Sequence, residues 1–128
     1  NMNNAYKEKV RLLLKIMPIV MSEDCFAVHG GTAINLFVND LLRLSVDIDL
    51  TYIPLEDRKT SIEHINASLK RIAERIAKDL RGVRVIPRYD ICKLTCEWHG
   101  CQVKIWHKTA IFQSKLRVIQ NDTVILQI

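Results

Sequence analysis

Asp47 and Asp49 are the two side chains whose type and spacing point most directly to chemistry. They alternate with Val46, Ile48 and Leu50, so we expect a β-strand with both carboxylates on one face and the three apolar side chains on the other. Neighbouring carboxylates repel each other unless a cation lies between them. Their oxygens are hard ligands that suit Mg²⁺ or Mn²⁺, and Mg²⁺ usually binds one or two carboxylates together with substrate phosphates. The pair therefore predicts a metal site for phosphate chemistry.

A glycine pair lies upstream of the aspartates, between a predicted strand at residues 25–28 and a predicted helix from Ala33 to about Asp40. Backbone N–H groups at the start of a helix bind anions, which makes Gly30, Gly31 and Thr32 candidate ligands of a nucleotide's phosphates. A tight turn is the commoner role of two glycines, and Thr32 would serve equally well as a helix cap. A phosphate site followed closely by a carboxylate pair favours nucleotidyl transfer.

Two runs of residues form a longer pattern around these sites, GGTAI at residues 30–34 and RLSVDIDL at residues 43–50. Together they resemble the signature of the AbiEii-type nucleotidyltransferases, a branch of the DNA polymerase β-like nucleotidyltransferase fold. The family writes Gly-Gly-Thr-Ala-Leu, where this chain has Ile34 in the last place, and then Arg-x-Ser-x-Asp-Ile-Asp-Leu, which matches in full. Members serve as toxins of bacterial abortive-infection and type IV toxin–antitoxin systems.

The resemblance implies an α/β (α+β) nucleotidyltransferase fold, in which helices pack on a mixed β-sheet. It implies a Mg²⁺-dependent enzyme that moves a nucleoside monophosphate from an NTP to a hydroxyl group on RNA, such as tRNA, or on a protein. Asp47 and Asp49 would be the catalytic residues and the metal ligands. The implied partners are the NTP, an acceptor RNA and a cognate antitoxin.

Three further residues are candidates for nucleotide binding. Arg43 matches the family pattern and would contact phosphate or orient the carboxylates, although a structural ion pair with Asp47 or Asp49 is nearly as plausible. Ser45 would contact the nucleotide or simply brace its strand. Lys104 would offset charge on the leaving pyrophosphate, or lie exposed on its strand.

The sequence departs from the family pattern at two places. A third carboxylate normally follows Val-Lys-Ile on a neighbouring strand, whereas this chain has Trp106 after residues 103–105. Glu97 would pair opposite Gln102 across a hairpin and share a face with Trp106, but we interpret it as a solvent-facing residue rather than a replacement. The helical C-terminal half of full-length relatives has no counterpart. The alternative function is therefore a catalytically degenerate nucleotide-binding or protein-interaction module of the same fold.

Composition predicts one globular domain, residues 1–128, either a shortened family member or the catalytic core of a longer protein, with 48% hydrophobic and 26% charged residues. The N-terminal apolar run is broken by Lys15 and Pro18, and no secretion signal is recognisable. We therefore expect a cytoplasmic protein with no membrane partner. The cysteines are expected to be buried thiols rather than zinc ligands, because their spacing lacks the tight pairs of structural zinc sites. They lie at positions 25, 92, 96 and 101.

A net charge of +5 favours polyanionic partners. Arg71, Arg75 and Lys78 share one face of a predicted helix and would be able to contact RNA phosphates. Acidic residues interrupt this stripe, so an ordinary solvated helix face is the favoured interpretation.

Periodicity and turn residues predict an α/β order of elements. The first helix is expected to kink or restart at Pro18, and His99-Gly100 is expected to form a hairpin turn. The predicted helices span about Asn4–Met21 and Arg58–Leu80, and the predicted strands about Ser45–Ile53, Val83–Ile86, Tyr89–Trp98, Cys101–Trp106 and Thr123–Ile128.

Overall fold

The structure, a computed structural model, describes residues 2–28, 34–37 and 45–107, and the side chains of residues 7–28 and 46–107. Helices and strands occur in the mixed order expected of an α+β fold. In chain order the elements are α1 (Met2–Met21), β1 (Phe26–Val28), β2 (Ile34–Phe37), β3 (Ser45–Tyr52), α2 (Arg58–Asp79), β4 (Arg84–Arg88), a 3₁₀ turn (Tyr89–Ile91), β5 (Lys93–Trp98) and β6 (Cys101–Trp106).

The strands form one mixed sheet in the order β1-β3-β6-β5-β4. β3 and β6 run parallel, while every other described pair is antiparallel. β1 pairs with residues 50–52 of β3 and β2 with residues 45–48, so the two short strands share one edge of β3. β3 is therefore paired along both edges, and its central position fixes the direction of its side chains.

One face of the sheet carries the hydrophobic core, against which α1 and α2 pack. The two helices contribute buried aliphatic side chains at helical spacing, and each fully buried one stabilises the fold by about 1.5–3 kcal/mol. The largest fully buried apolar side chains of the core, from helices and strands together, are Leu12, Ile16, Ile48, Ile65, Leu69, Ile72, Ile76, Leu94 and Ile105. Neither described helix combines the length and hydropathy of a membrane-spanning segment.

The second helix and the hairpin confirm their sequence-based predictions. The Asp57 carboxylate caps α2 by accepting the Thr60 backbone N–H at 2.8 Å, and Gly82 follows the helix end with a φ of +87°. His99 and Gly100 both adopt positive φ, as a tight two-residue hairpin requires. This two-residue turn sets Trp98 opposite Cys101, and the register of β5 and β6 follows from that first pair.

Two predictions of local structure were wrong. Residues 34–37 form a strand rather than part of a helix over Ala33–Asp40, because a short apolar run fits either period and the edge of β3 supplies hydrogen-bond partners. At Pro18 the helix α1 continues without a restart, and a kink there stays a prediction. The predicted strand Tyr89–Trp98 begins only at Lys93, after a 3₁₀ turn that ends at Cys92 with a left-handed φ of +51°. The predicted strand Thr123–Ile128 lies outside the described residues.

Candidate active site

β3 places the two aspartates on the face of the sheet opposite the core. Val46, Ile48 and Leu50 point into the core, as the alternation predicted. Asp47 and Asp49 point the other way and are nonetheless only 7% and 4% exposed. Burying two carboxylates side by side is costly unless positive charge or hydrogen-bond donors compensate them. Their burial therefore requires positive charge or hydrogen-bond donors close to both carboxylates.

A row of side chains crosses the sheet at the level of Asp49. Asp49 is in register with Trp106 on the parallel neighbour β6, and Trp106 is in register with Lys93 on β5. Lys93 in turn pairs with Arg88 on the edge strand β4. Register partners in a sheet point to the same face and lie about 4.8–5.5 Å apart, so these four side chains form one line. The indole therefore stands between the acid and two cations.

A second row crosses the sheet at the level of Asp47. Lys104 on β6 is the register partner of Asp47, and Thr95 on β5 is the partner of Lys104. The structure thus brings together the two sequence-predicted acids and the sequence-predicted lysine. Lys104 is half-buried at this position.

Lys93 lies on the same face, opposite Trp106, although the sequence pattern did not single it out. Its Nζ lies 4.6 Å from the centroid of the Trp106 ring, a cation–π contact. Burial lowers the pKa of Lys93, the positive charges of Lys104 and Arg88 lower it further, and the negative charge of Asp47 raises it. The signal was present in the sequence, because counting back from the His99-Gly100 turn sets Lys93 opposite Trp106.

The aspartate pair fits a divalent cation that prefers oxygen ligands. Both carboxylates lie on one face, which Mg²⁺ accepts as a partial ligand set. Within the described part of the chain, no group of three or more His, Cys, Asp or Glu side chains could hold a metal ion. A cation at Asp47 and Asp49 would therefore have to complete its shell with phosphate oxygens and water, the usual arrangement for protein-bound Mg²⁺.

Glu97 does not replace the third carboxylate. It pairs with Gln102 as predicted, and the Gln102 Nε2 group donates a hydrogen bond to its Oε2 at 2.7 Å. The Arg84 guanidinium lies 3.9 Å from its other oxygen. Two strand spacings and two residues of rise place Glu97 roughly 12 Å from Asp47. Glu97 therefore interacts with neighbours near the His99-Gly100 turn of the hairpin.

Most of the other predicted nucleotide-binding residues are not among the residues that the structure describes. Gly30, Gly31, Thr32 and Arg43 lie outside the described residues. Because residues 34–37 form a strand, the helix start that motivated the glycine site is not where the sequence placed it. Ser45 begins β3, in register with Gln102 and two residues before Asp47.

The basic stripe on α2 is largely neutralised. Arg71 donates from Nη2 to the Glu23 carboxylate at 2.7 Å and to the Ser68 hydroxyl at the same distance. Its hydrogen bond lowers the pKa of Glu23. Arg75 pairs with Asp79 at 3.4 Å. These pairs support a solvated helix face, because arginines already bound to carboxylates offer little to a phosphate.

Three of the four cysteines are buried thiols, as predicted, and the fourth is half-buried. Cys92, Cys96 and Cys101 are buried, whereas Cys25 is half-buried beside Ser68, with Sγ and Oγ 3.1 Å apart. Burial raises the pKa of Cys96 to about 12. Such thiols stay protonated and are poor metal ligands.

Comparison with known proteins gives one match. The family described as nucleotidyl transferase AbiEii toxin, type IV toxin–antitoxin system, matches residues 11–116, which include both aspartates and all described strands. No curated protein matches the chain. No solved structure matches it either.

Proposed function

The chain belongs to the AbiEii family of nucleotidyl transferase toxins of type IV toxin–antitoxin systems, and from this premise we propose that it transfers a nucleoside monophosphate from an NTP to a hydroxyl group on RNA, such as tRNA, or on a protein. The observation that carries the proposal is the pair of nearly buried carboxylates, Asp47 and Asp49, on the face of the sheet that the helices leave to other partners. Buried carboxylates in close proximity are typical of functional sites.

The proposed reaction forms one bond and breaks another at the α-phosphorus. The acceptor oxygen bonds to that phosphorus, the bond to the β-phosphate oxygen breaks, pyrophosphate leaves, and the acceptor's proton passes to water. Asp47 and Asp49 would hold Mg²⁺ or Mn²⁺, which when bound offsets the negative charge of the phosphates. Lys104, beside Asp47, would bind the leaving pyrophosphate.

The remaining parts of the proposal come from the family pattern. Gly30, Gly31 and Thr32 would bind phosphate through their backbone, while Arg43 and Ser45 would orient the nucleotide next to β3. A cognate antitoxin would be the protein partner. The cytoplasm would be the place of action, since NTPs and reduced thiols are found there.

Transfer of radiolabel from each [α-³²P]NTP to RNA and to protein acceptors tests the proposal. Wild type should label an acceptor with Mg²⁺ present, and Asp47→Asn should reduce labelling by at least 100-fold while melting at nearly the same temperature. Asp79→Asn, on the outer face of α2, is the matched control and should label normally. An Asp47→Asn protein that labels acceptors at the wild-type rate contradicts the proposed site.

A second candidate function is favoured by Trp106, which stands beside Asp49 where the family has an acid. A degenerate module would bind an NTP with Mg²⁺ but transfer nothing to any acceptor. Calorimetric binding of an NTP, combined with no label transfer to RNA or protein, would select this alternative.

A further inference from the structure

We propose that Lys93 and Trp106 form a binding subsite for the phosphate chain of the nucleotide, in which the indole holds the lysine ammonium beside the aspartate pair. The inference rests on the proposed nucleotide site and adds to it a residue outside the family motifs. It also gives the replacement of an acid by Trp106 a positive role.

The positions of the two side chains place the ammonium group at the edge of the aspartate pair. Lys93 and Trp106 are register partners on β5 and β6, and Trp106 is the partner of Asp49. The Lys93 Nζ lies 4.6 Å from the centre of the indole ring. A ligand held above Asp49 would therefore extend over the indole within reach of the ammonium.

The two lysines of this face form a like-charged pair. Lys93 and Lys104 are diagonal neighbours across the β5–β6 hairpin, where Cα atoms lie about 7–8 Å apart. In the part of the chain that the structure describes, neither ammonium forms an ion pair with a carboxylate. Two adjacent lysines repel each other, and an anion placed between them would remove that cost.

The lysine pair and the aspartate pair place opposite charges side by side on one face of the sheet. Asp47 and Asp49 favour a cation, while Lys93 and Lys104 favour an anion immediately beside it. A metal-bound polyphosphate carries both charges in one ligand. The chemical class that suits this arrangement is therefore the triphosphate of a nucleotide.

Arg88 contributes little to this subsite although it belongs to the same row. It donates from Nε and Nη2 to the two Asp90 carboxylate oxygens at 3.0 and 2.8 Å, so its charge is already paired. Lys93 is the cation of the Asp49 row whose ammonium lies against the Trp106 ring. A cation–π contact orients the ammonium without consuming its N–H groups.

An acid at position 106 would work against this arrangement. Opposite charges directly across an antiparallel pair form a cross-strand ion pair, so Asp or Glu there would bind the Lys93 ammonium. Trp106 instead contacts the ammonium through its ring face and leaves its N–H groups able to donate to a ligand. The structure thus links the unusual tryptophan to the lysine opposite it.

Calorimetric titration of the intact chain with inorganic tripolyphosphate and with each NTP, in Mg²⁺, tests the subsite. Lys93→Gln should weaken the binding of tripolyphosphate and of the bound NTP about tenfold, as expected for loss of one charge-assisted contact. Lys93→Arg should bind within about twofold of wild type. Lys70→Gln, on the exposed face of α2, removes the same charge away from the site and should bind like wild type.

Trp106→Leu and the double variant Lys93→Gln/Trp106→Leu report whether the indole positions the lysine. Trp106→Leu alone should weaken tripolyphosphate binding, and adding Lys93→Gln should then cost much less than tenfold, because the two changes remove one coupled unit. Additive effects would overturn the positioning role of Trp106. Thermal melting of every variant separates loss of binding from loss of fold.

Two outcomes distinguish this inference from the proposed function. Wild type that binds an NTP with Mg²⁺, together with Lys93→Gln that binds it equally well, would overturn the subsite and leave the nucleotide site standing. Wild type that binds neither tripolyphosphate nor any NTP would overturn both.

Discussion

Lys104 on β6 is the direct register partner of Asp47 on β3, in a parallel strand pair whose partners lie 57 residues apart in the chain. Opposite charges thus sit side by side on the face of the sheet opposite the one against which the described helices pack. We propose that the Lys104 ammonium acts on a phosphate bound beside this acid. Phosphoryl chemistry uses this kind of placement to stabilise charge on the leaving group.

Lys104→Gln should therefore slow transfer more than it weakens nucleotide binding. If Lys104 binds the leaving pyrophosphate, its charge matters most as the bond to the β-phosphate oxygen breaks, and about 2–3 kcal/mol of stabilisation would be lost. We expect kcat to fall roughly 30- to 160-fold with a KM change of less than threefold. Lys78→Gln, exposed on α2, serves as the control. A variant with raised KM and unchanged kcat would assign Lys104 to ground-state binding instead.

Metal binding at the aspartate pair should be visible in stability without any nucleotide. A cation that binds only the folded state at ten times its Kd adds about 1.4 kcal/mol, which raises Tm by roughly 5 °C for a domain of this size. Asp49→Asn should abolish most of this Mg²⁺-dependent shift. Asp79→Asn should keep it, and equal shifts in both variants would place the metal elsewhere.

The alternation of residues 46–50 and the hairpin register were predictable because each depends on local rules. A strand has a period of two, and a two-residue turn fixes every partner that follows. The pairing of Asp49 with Trp106 is different, since it depends on parallel contact between distant segments. The family pattern implied only that Trp106 lies on a strand beside the aspartates, and the structure adds its register with Asp49.

The errors have a common physical origin. Residues 34–37 are too short and too apolar for periodicity to decide between helix and strand, and the free edge of β3 decided for strand. Cys92 interrupts the predicted strand with a left-handed backbone conformation, which is not predictable from a cysteine in the sequence. Lys93 was overlooked because a lysine on a strand is ordinary until its neighbours across the sheet are known.

The core behind the aspartates should be sensitive to truncation. Ile48 lies between Asp47 and Asp49 in sequence but is fully buried against the helices. Ile48→Ala should lower the free energy of unfolding by about 2–5 kcal/mol, from lost burial and the cavity left behind. Leu55→Ala, at a fully exposed position, should change it by less than about 0.5 kcal/mol. Urea unfolding followed by circular dichroism measures both, and similar losses in the two variants would contradict the assigned faces of β3.

Cys96 should make the fold less stable in alkaline solution. Burial raises the pKa of its thiol from 9.0 to about 12, so the folded chain keeps this proton at a pH where the unfolded chain releases it. The unfolded state then binds fewer protons, and stability falls as pH rises from about 9 towards 12, whereas below pH 9 the contribution is fully present. Cys96→Ala should lower stability at every pH through lost packing, yet show a shallower decline between pH 8 and 10.5 than wild type. Urea midpoints measured across that range provide the comparison, with the half-buried Cys25→Ala as the control. Identical slopes in wild type and Cys96→Ala would show that this thiol does not couple folding to alkaline pH.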